Sequence, residues 1–216
     1  VTAGLYLTVE GLDGSGKTTQ IDRLAAWLTD AGRTVTATRE PGGTEVGQLI
    51  RDIVLHHRGD IAPRAEALLF AADRAHHIAT KVRPALERGD VVVQDRYIDS
   101  SVAFQGAGRV LDPAEVRRLS EWATGGLYPR LTILLDLDPA AARERLVSAQ
   151  KAYDRIEAEA LEFSERIRAA YLAMAQADSE RWAVLDATEP ADRIAARIRE
   201  RVEPLLTGGE SVGPLR

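Results

Sequence analysis

Short apolar runs alternate with longer stretches in which apolar residues recur every three or four positions. This alternation predicts an α/β fold built on a mainly parallel sheet. Leu5, Tyr6, Leu7, Thr8 and Val9 read as a first strand. A helix follows from Lys17, with Ile21, Leu24, Ala25 and Leu28 on one face and Gly32 closing its C-terminal end. Residues 34–38 predict a second strand and residues 46–55 a short helix. The Ala-rich stretch 64–88 reads as one helix or two abutting ones. Pro84 is expected to kink it, because a mid-helix proline loses a hydrogen bond and crowds the preceding turn. Val91, Val92 and Val93 form a buried strand ending at Asp95, and 131–137 predicts another, with a helix over 113–124 between them. Pro139 suits the first turn of a helix. Residues 148–154 interrupt two helical patterns and read as a mobile loop. A helix over 157–177, a strand over 182–185 and a final helix with Ile194, Ile198 and Val202 complete one domain over residues 1–206. The tail 207–216 is expected to be disordered.

Composition narrows the function classes. A length of 216 residues favours a single domain able to bury its core without disulfides or metal clips. The chain contains no cysteine, which excludes a thiol nucleophile and Cys-ligated zinc and is compatible with a reducing compartment. No stretch reaches the roughly 20 apolar residues of a membrane span, and Val1 to Glu10 lacks the pattern of a secretory signal, so a cytoplasmic location is expected. The formal net charge is −5 and the longest basic cluster is the pair Arg117 and Arg118, which argues against a nucleic-acid surface. A small anionic ligand in a locally built site remains compatible with that charge.

Such a site is visible. Gly11-Leu12-Asp13-Gly14-Ser15-Gly16-Lys17-Thr18 matches G-x-x-x-x-G-K-[ST] in full, between a strand and a helix. The glycines let the backbone curl so that successive N–H groups face a phosphate, and the helix start adds its positive end. Lys17 would reach the β- and γ-phosphates, and the Thr18 hydroxyl would coordinate Mg²⁺. Asp13 is unusual beside a polyphosphate; it reads either as a solvated acid or as an acceptor for a sugar hydroxyl of a second substrate. At the end of the third strand, where ligands collect in such sheets, Asp95 is suited to hold Mg²⁺ through water and Arg96 to grip a phosphate. A plain Asp–Arg ion pair is the competing reading of those two residues.

The combination of Glu10-Gly11…Gly16-Lys17-Thr18-Thr19-Gln20, Arg39-Glu40-Pro41-Gly42-Gly43-Thr44, Phe70-Ala71-Ala72-Asp73-Arg74, Asp95-Arg96-Tyr97…Ser100-Ser101…Phe104-Gln105-Gly106 and Asp154-Arg155-Ile156-Glu157 resembles bacterial thymidylate kinases. The resemblance implies a three-layer phosphate-loop kinase fold with a five-stranded parallel sheet flanked by helices, a homodimer, and transfer of the γ-phosphoryl group of MgATP to dTMP. Through it, the loop residues Gly11 to Thr18 with Thr19 and Arg143 would bind ATP. Phe70 would stack on thymine, Arg74 would bond its edge, and Ser101 and Gln105 would contact the base with Ser100 close by. Arg51 and Arg96 would bind the dTMP phosphate, Glu40 and Pro41 would line the pocket, and Asp13 would take the 3′-hydroxyl. Phe104 stands where the family often has tyrosine, against the sugar edge that lacks a 2′-hydroxyl.

One departure concerns the cation expected over the γ-phosphate. Some members carry an arginine directly after the loop acid, where this chain has Gly14; others place Arg-Gly in a lid, here near 143–157. This chain reads Ser148-Ala149-Gln150-Lys151-Ala152-Tyr153 there, so the lid cation is Lys151, Arg155 or Arg145, or is missing. The adjacent pairs His56-His57 and His76-His77 have no metal-binding spacing and read as surface or support residues, and Trp27, Trp122 and Trp182 as core or subunit-contact residues. Two other functions stay open at this point: a kinase of the same fold with a different acceptor, and a nucleotide-binding regulator with weak catalysis.

Overall fold

The computed structural model describes residues 4–109, 111–148, 156 and 161–207. Five strands, β1 (Leu5–Glu10), β2 (Val35–Arg39), β3 (Val91–Asp95), β4 (Leu131–Asp136) and β5 (Trp182–Asp186), form one sheet in the order β2-β3-β1-β4-β5. Every neighbouring pair is parallel. Crossovers between them are helical, through α1 (Lys17–Asp30), α2 (Glu45–His56), α3 (Pro63–His77), α4 (Arg83–Glu87), α5 (Ile98–Ser101), α6 (Pro113–Thr124), α7 (Pro139–Ser148) and α8 (Leu161–Ala177), and α9 (Ala191–Thr207) follows the last strand. Among the described residues no helix is long and apolar enough to cross a membrane.

The alternation of side chains along each strand divides the core in two. Leu7, Val9, Val91, Val93, Ile133 and Leu135 pack with α1, α8 and α9 through Leu24, Leu28, Ile167, Ile194 and Ile198. On the other face, Tyr6 and Val92 pack with Ile78, Val82, Ala85, Tyr97, Ile98 and Leu127. That face also holds buried polar side chains, and they pair across strands: Tyr6 Oη donates to Gln94 Oε1 at 2.7 Å, and the hydroxyls of Thr8 and Thr132 meet at 3.0 Å. Buried hydroxyls and amides are tolerated because each finds a partner.

Gly32, with φ +78°, takes the left-handed position just beyond α1, where its N–H and that of Arg33 bond the carbonyls of Thr29 and Leu28. The Ala-rich stretch is continuous, but a π-helical turn at Ile78–Val82 joins α3 to α4. Pro84 therefore sits in the first turn of α4, where its missing N–H costs little and the widened turn makes room for its ring. A second π-helical stretch, Val102–Gly108, follows α5 and carries Phe104 and Gln105. Thr207 ends α9, and the remainder of the expected tail lies outside the described residues. Trp182 is buried and Trp27 packs partly on the core, whereas Trp122 is 82% exposed.

Candidate active site

The register sets Val9 and Arg39 against Asp95, so Glu10, Glu40 and Arg96 emerge together at the carboxyl edge of the sheet. The chain is cross-linked there: Glu40 N–H donates to Asp95 O at 2.9 Å and Arg96 N–H to Val9 O at 3.1 Å. Between β1 and α1 the loop glycines Gly11, Gly14 and Gly16 have φ of +140°, +83° and +94°. Gly16 begins α1 without any side-chain cap, which leaves helix N–H groups available to an anion. Lys17 is buried and its Nζ donates to the carbonyls of Gly11 and Leu12 at 3.1 and 3.0 Å, with Asp13 Oδ1 at 3.4 Å. A Cβ placed on Gly14 would lie 2.6 Å from the Ala142 carbonyl oxygen, so a side chain cannot enter here unless α7 moves. The positive φ of Gly14 further disfavours a side chain at the position after Asp13.

Beside the loop opens a cleft of about 280 Å³ lined by Asp13, Thr18, Glu40, Pro41, Arg51, Phe70, Arg74, Asp95, Arg96, Ser100, Ser101, Phe104 and Gln105. Every residue expected to meet dTMP, and both expected metal residues, therefore border a single cleft. Arg39, Leu55 and Ile156 line it too; Arg39 and Ile156 stand inside quoted motifs without a role, and Leu55 lies outside them. Asp95 Oδ1 is buried without a hydrogen-bond partner among the described residues, the chemistry expected of an oxygen reserved for a cation or its water. Thr18 is exposed in the same cleft. Among the described residues no cluster of three or more His, Cys, Asp or Glu is placed to hold a metal ion.

Arg96 is the only described non-glycine residue with positive φ, +64°. Such a conformation costs roughly 1–3 kcal/mol and persists only where the surroundings enforce it. Its Nη2 donates to Asp13 Oδ1 at 2.7 Å, its Nη1 to Ser100 Oγ at 3.2 Å, and its guanidinium lies 4.8 Å above the Phe104 ring. Burial opposes ionisation of Asp13, but Arg96 and then Lys17 outweigh it and hold the carboxyl well below the usual range. Glu10 lies behind Arg96, fully buried, and accepts from Tyr97 N–H at 2.8 Å, Ser100 Oγ at 2.6 Å and Tyr171 Oη at 2.8 Å. Burial, then the Asp99 charge, push its carboxyl up to about 7 against the pull of Arg96.

The other wall is equally tied. Arg74 is buried and donates to Glu40 Oε2 at 2.8 Å, Ser120 Oγ at 3.0 Å and Tyr97 O at 3.0 Å, which holds it rigidly and leaves other N–H groups for a ligand. His77 is also buried, bridging Glu40 Oε1 at 2.9 Å and the Thr38 hydroxyl at 2.7 Å; it supports the site and is no ligand platform. Gln105 Nε2 donates to Glu66 Oε1 at 3.1 Å. Glu10, Tyr171, Asp73 and Glu66 escape a reading of the sequence, whereas His77 fills the support role expected of it. Glu10 and Asp73 stand inside quoted motifs without a role, and the other two lie in ordinary helical patterns.

Some expected residues stand apart. Thr19 is exposed on α1 and does not line the cleft. Arg143 is exposed on α7 and borders a smaller cavity of about 50 Å³ with Leu12, Asp13 and Phe104. Arg145 Nη2 donates to Ala187 O at 2.9 Å, toward the loop after β5. Lys151 and Arg155 lie outside the described residues.

The family model for thymidylate kinase matches residues 9–198. The thymidylate kinase of Leifsonia xyli subsp. xyli is 66% identical over 200 residues, which span 93% of this chain and 95% of the relative. That of Deinococcus radiodurans is 48% identical over 198 residues, spanning 92% and 96%. A crystal structure of thymidylate kinase from Ehrlichia chaffeensis matches with a TM-score of 0.78 at 27% identity, over 93% of this chain and 99% of that one. Neither the regulatory reading nor a kinase of different acceptor gains support from these matches. The phosphate loop, the Asp95-Arg96 strand end and the helical face with Phe70 and Arg74 thus belong to one continuous likeness, and this chain is a member of the thymidylate kinase family.

Proposed function

We propose that the chain transfers the γ-phosphoryl group of ATP to dTMP, giving dTDP, with Mg²⁺ as the cofactor. The observation that carries this reading is the shared cleft, which brings the phosphate-loop residues Asp13 and Thr18 beside Arg51 and Arg96 and also beside Phe70, Arg74 and Gln105. The loop N–H groups and Lys17 hold the ATP phosphates. Arg51 and Arg96 hold the acceptor phosphate, and Phe70, Arg74, Ser101 and Gln105 hold the base. Asp13, kept ionised by its two cationic neighbours, accepts the sugar 3′-hydroxyl. The attacking phosphate oxygen is already ionised, so no strong base is required; the protein positions the two phosphates and stabilises charge. Bound Mg²⁺ neutralises phosphate charge, and Thr18 and Asp95 are the residues suited to hold it, the latter through water. A lid cation, Lys151 or Arg155, completes the charge stabilisation.

In this reading the protein is cytoplasmic and dimeric. The dimer is supported by an apolar surface: Val46, Leu49 and Ile53 form one stripe on α2 at 44, 67 and 46% exposure. Leu68 on α3 and Trp122 on α6 are also exposed, and α3 packs against both α2 and α6. A second copy of the chain covers this patch. Light scattering then gives twice the 23.5 kDa chain mass, and Leu49→Glu gives monomers; a monomeric parent protein refutes the dimer. The activity is tested by offering dTMP, dUMP, UMP, dCMP and thymidine as acceptors with ATP and Mg²⁺. Saturable dTDP formation with dTMP preferred is expected. Phosphorylation of thymidine without that of dTMP overturns the reading.

A further inference from the structure

Glu10 reaches Arg96 by two routes. Its Oε1 accepts the N–H of Tyr97, the residue that directly follows the left-handed Arg96, at 2.8 Å. Its Oε2 accepts the hydroxyls of Ser100 at 2.6 Å and Tyr171 at 2.8 Å. Those same two oxygens face the Arg96 guanidinium: Nη1 donates to Ser100 Oγ at 3.2 Å and lies 3.5 Å from Tyr171 Oη.

The direction of these bonds follows from chemistry. A carboxylate accepts and does not donate, and each hydroxyl has a single proton. With Glu10 ionised, its Oε2 draws the protons of the Ser100 and Tyr171 hydroxyls, which also lie 2.8 Å from each other, and lone pairs on both oxygens are left facing Nη1. Glu10 thereby turns hydroxyl protons away from Arg96 and keeps lone pairs directed at its N–H groups. Asp13 holds Nη2 from the opposite side at 2.7 Å, and the Phe104 ring supports the guanidinium plane. Arg96 is thereby aimed by residues from β1, α5 and α8, and Glu10 is the group that orders them.

We infer that Glu10 is a positioning residue for acceptor recognition: through Tyr97 N–H and the Ser100 and Tyr171 hydroxyls it holds the Arg96 guanidinium in the pose that binds the phosphate of a nucleoside monophosphate. The inference rests on the reading of Arg96 as a phosphate ligand. Glu10 itself touches no substrate.

Glu10→Gln tests it with little change of shape. Tyr97 N–H requires an oxygen at the Oε1 position, so the new amide nitrogen falls against the two hydroxyls. Both lose the Oε2 acceptor and meet an N–H donor in its place, so their protons turn toward each other or toward the Arg96 N–H groups and lone pairs are drawn away from Arg96. Calorimetric titration at pH 8 should show the dTMP affinity of E10Q falling about tenfold or more while that of thymidine, which has no phosphate, stays within about twofold. Y171F deletes one of the two oxygens and should lower dTMP affinity less. In the Y171F background the further loss from E10Q should be smaller than in the parent, because the two changes act through one contact. If E10Q does not fold, Y171F alone still carries the expectation of a selective loss of dTMP over thymidine.

An E10Q protein that weakens dTMP and thymidine equally, or neither, overturns the inference, provided that R96A lowers dTMP affinity selectively. If R96A also leaves the dTMP-to-thymidine ratio unchanged, the reading of Arg96 fails and takes the inference with it.

Discussion

Asp73→Asn gives a test of how the acceptor wall is held. Asp73 is fully buried on α3, and its Oδ1 accepts from Gly42 N–H at 3.2 Å, pinning the loop that carries Glu40 and Pro41. Its Oδ2 has no partner among the described residues. Burial, and secondarily the Glu40 charge, raise its carboxyl from 3.8 to about 6. That rise corresponds to roughly 3 kcal/mol against the ionised form. A carboxyl raised on folding favours the native state below the unfolded pKa, and that contribution is lost as pH rises through the folded value. Linkage over the two values gives a penalty that grows by about 1.4 kcal/mol between pH 5 and pH 8. The substituted amide cannot ionise, so this part of the pH dependence should vanish. Its nitrogen adds a buried donor that costs about 1–3 kcal/mol, but equally at every pH. The diagnostic is therefore the change in the difference between the two proteins. Thermal melts at pH 5 and pH 8 should show D73N gaining about 3–5 °C on the parent at the higher pH. A difference that is flat with pH, or that moves in favour of the parent at pH 8, refutes the assignment of a raised, buried carboxyl at position 73.

The remaining predictions concern catalysis and selectivity. Lys151→Ala should lower turnover more than it raises the KM for dTMP, because a cation over the γ-phosphate acts on the transition state; unchanged turnover in steady-state assays removes Lys151 from the mechanism. Phe104→Tyr restores a phenol at the expected sugar edge and should raise the preference for dTMP over the ribonucleotide severalfold, read as a ratio of kcat/KM values. An unchanged ratio shows that the ring at position 104 does not monitor the 2′ position.

The candidate site was legible wherever chemistry is written in short contiguous motifs. The loop from Gly11 to Thr18 declares itself because consecutive residues make one phosphate nest. Phe70 and Arg74 declare a shared face because they stand four apart on a helix. The strands were legible because a parallel sheet buried on both sides demands unbroken apolar runs, as Val91 to Val93 show. Where an element departs from regular periodicity, the reading weakened. The π-helical stretch carrying Phe104 and Gln105 has no repeat of its own, and the π-helical turn before Pro84 depends on how a ring fits its preceding turn.

What the sequence by itself determined, then, is the α/β class, the order of its elements, the phosphate loop and the family likeness, since these follow from local spacing. Only the tertiary structure decided how the cations are aimed and what excludes alternatives. Glu10 meets Ser100 and Tyr171 across 90 and 161 residues of chain, and no local pattern encodes such a contact. The left-handed backbone of Arg96 is stable only because its neighbours enforce it. Gly14 looks like a missing arginine in the sequence, whereas in the fold the Ala142 carbonyl occupies the space a side chain would need. Local periodicity selects the elements; long-range packing and hydrogen-bond direction select the pose of each functional group.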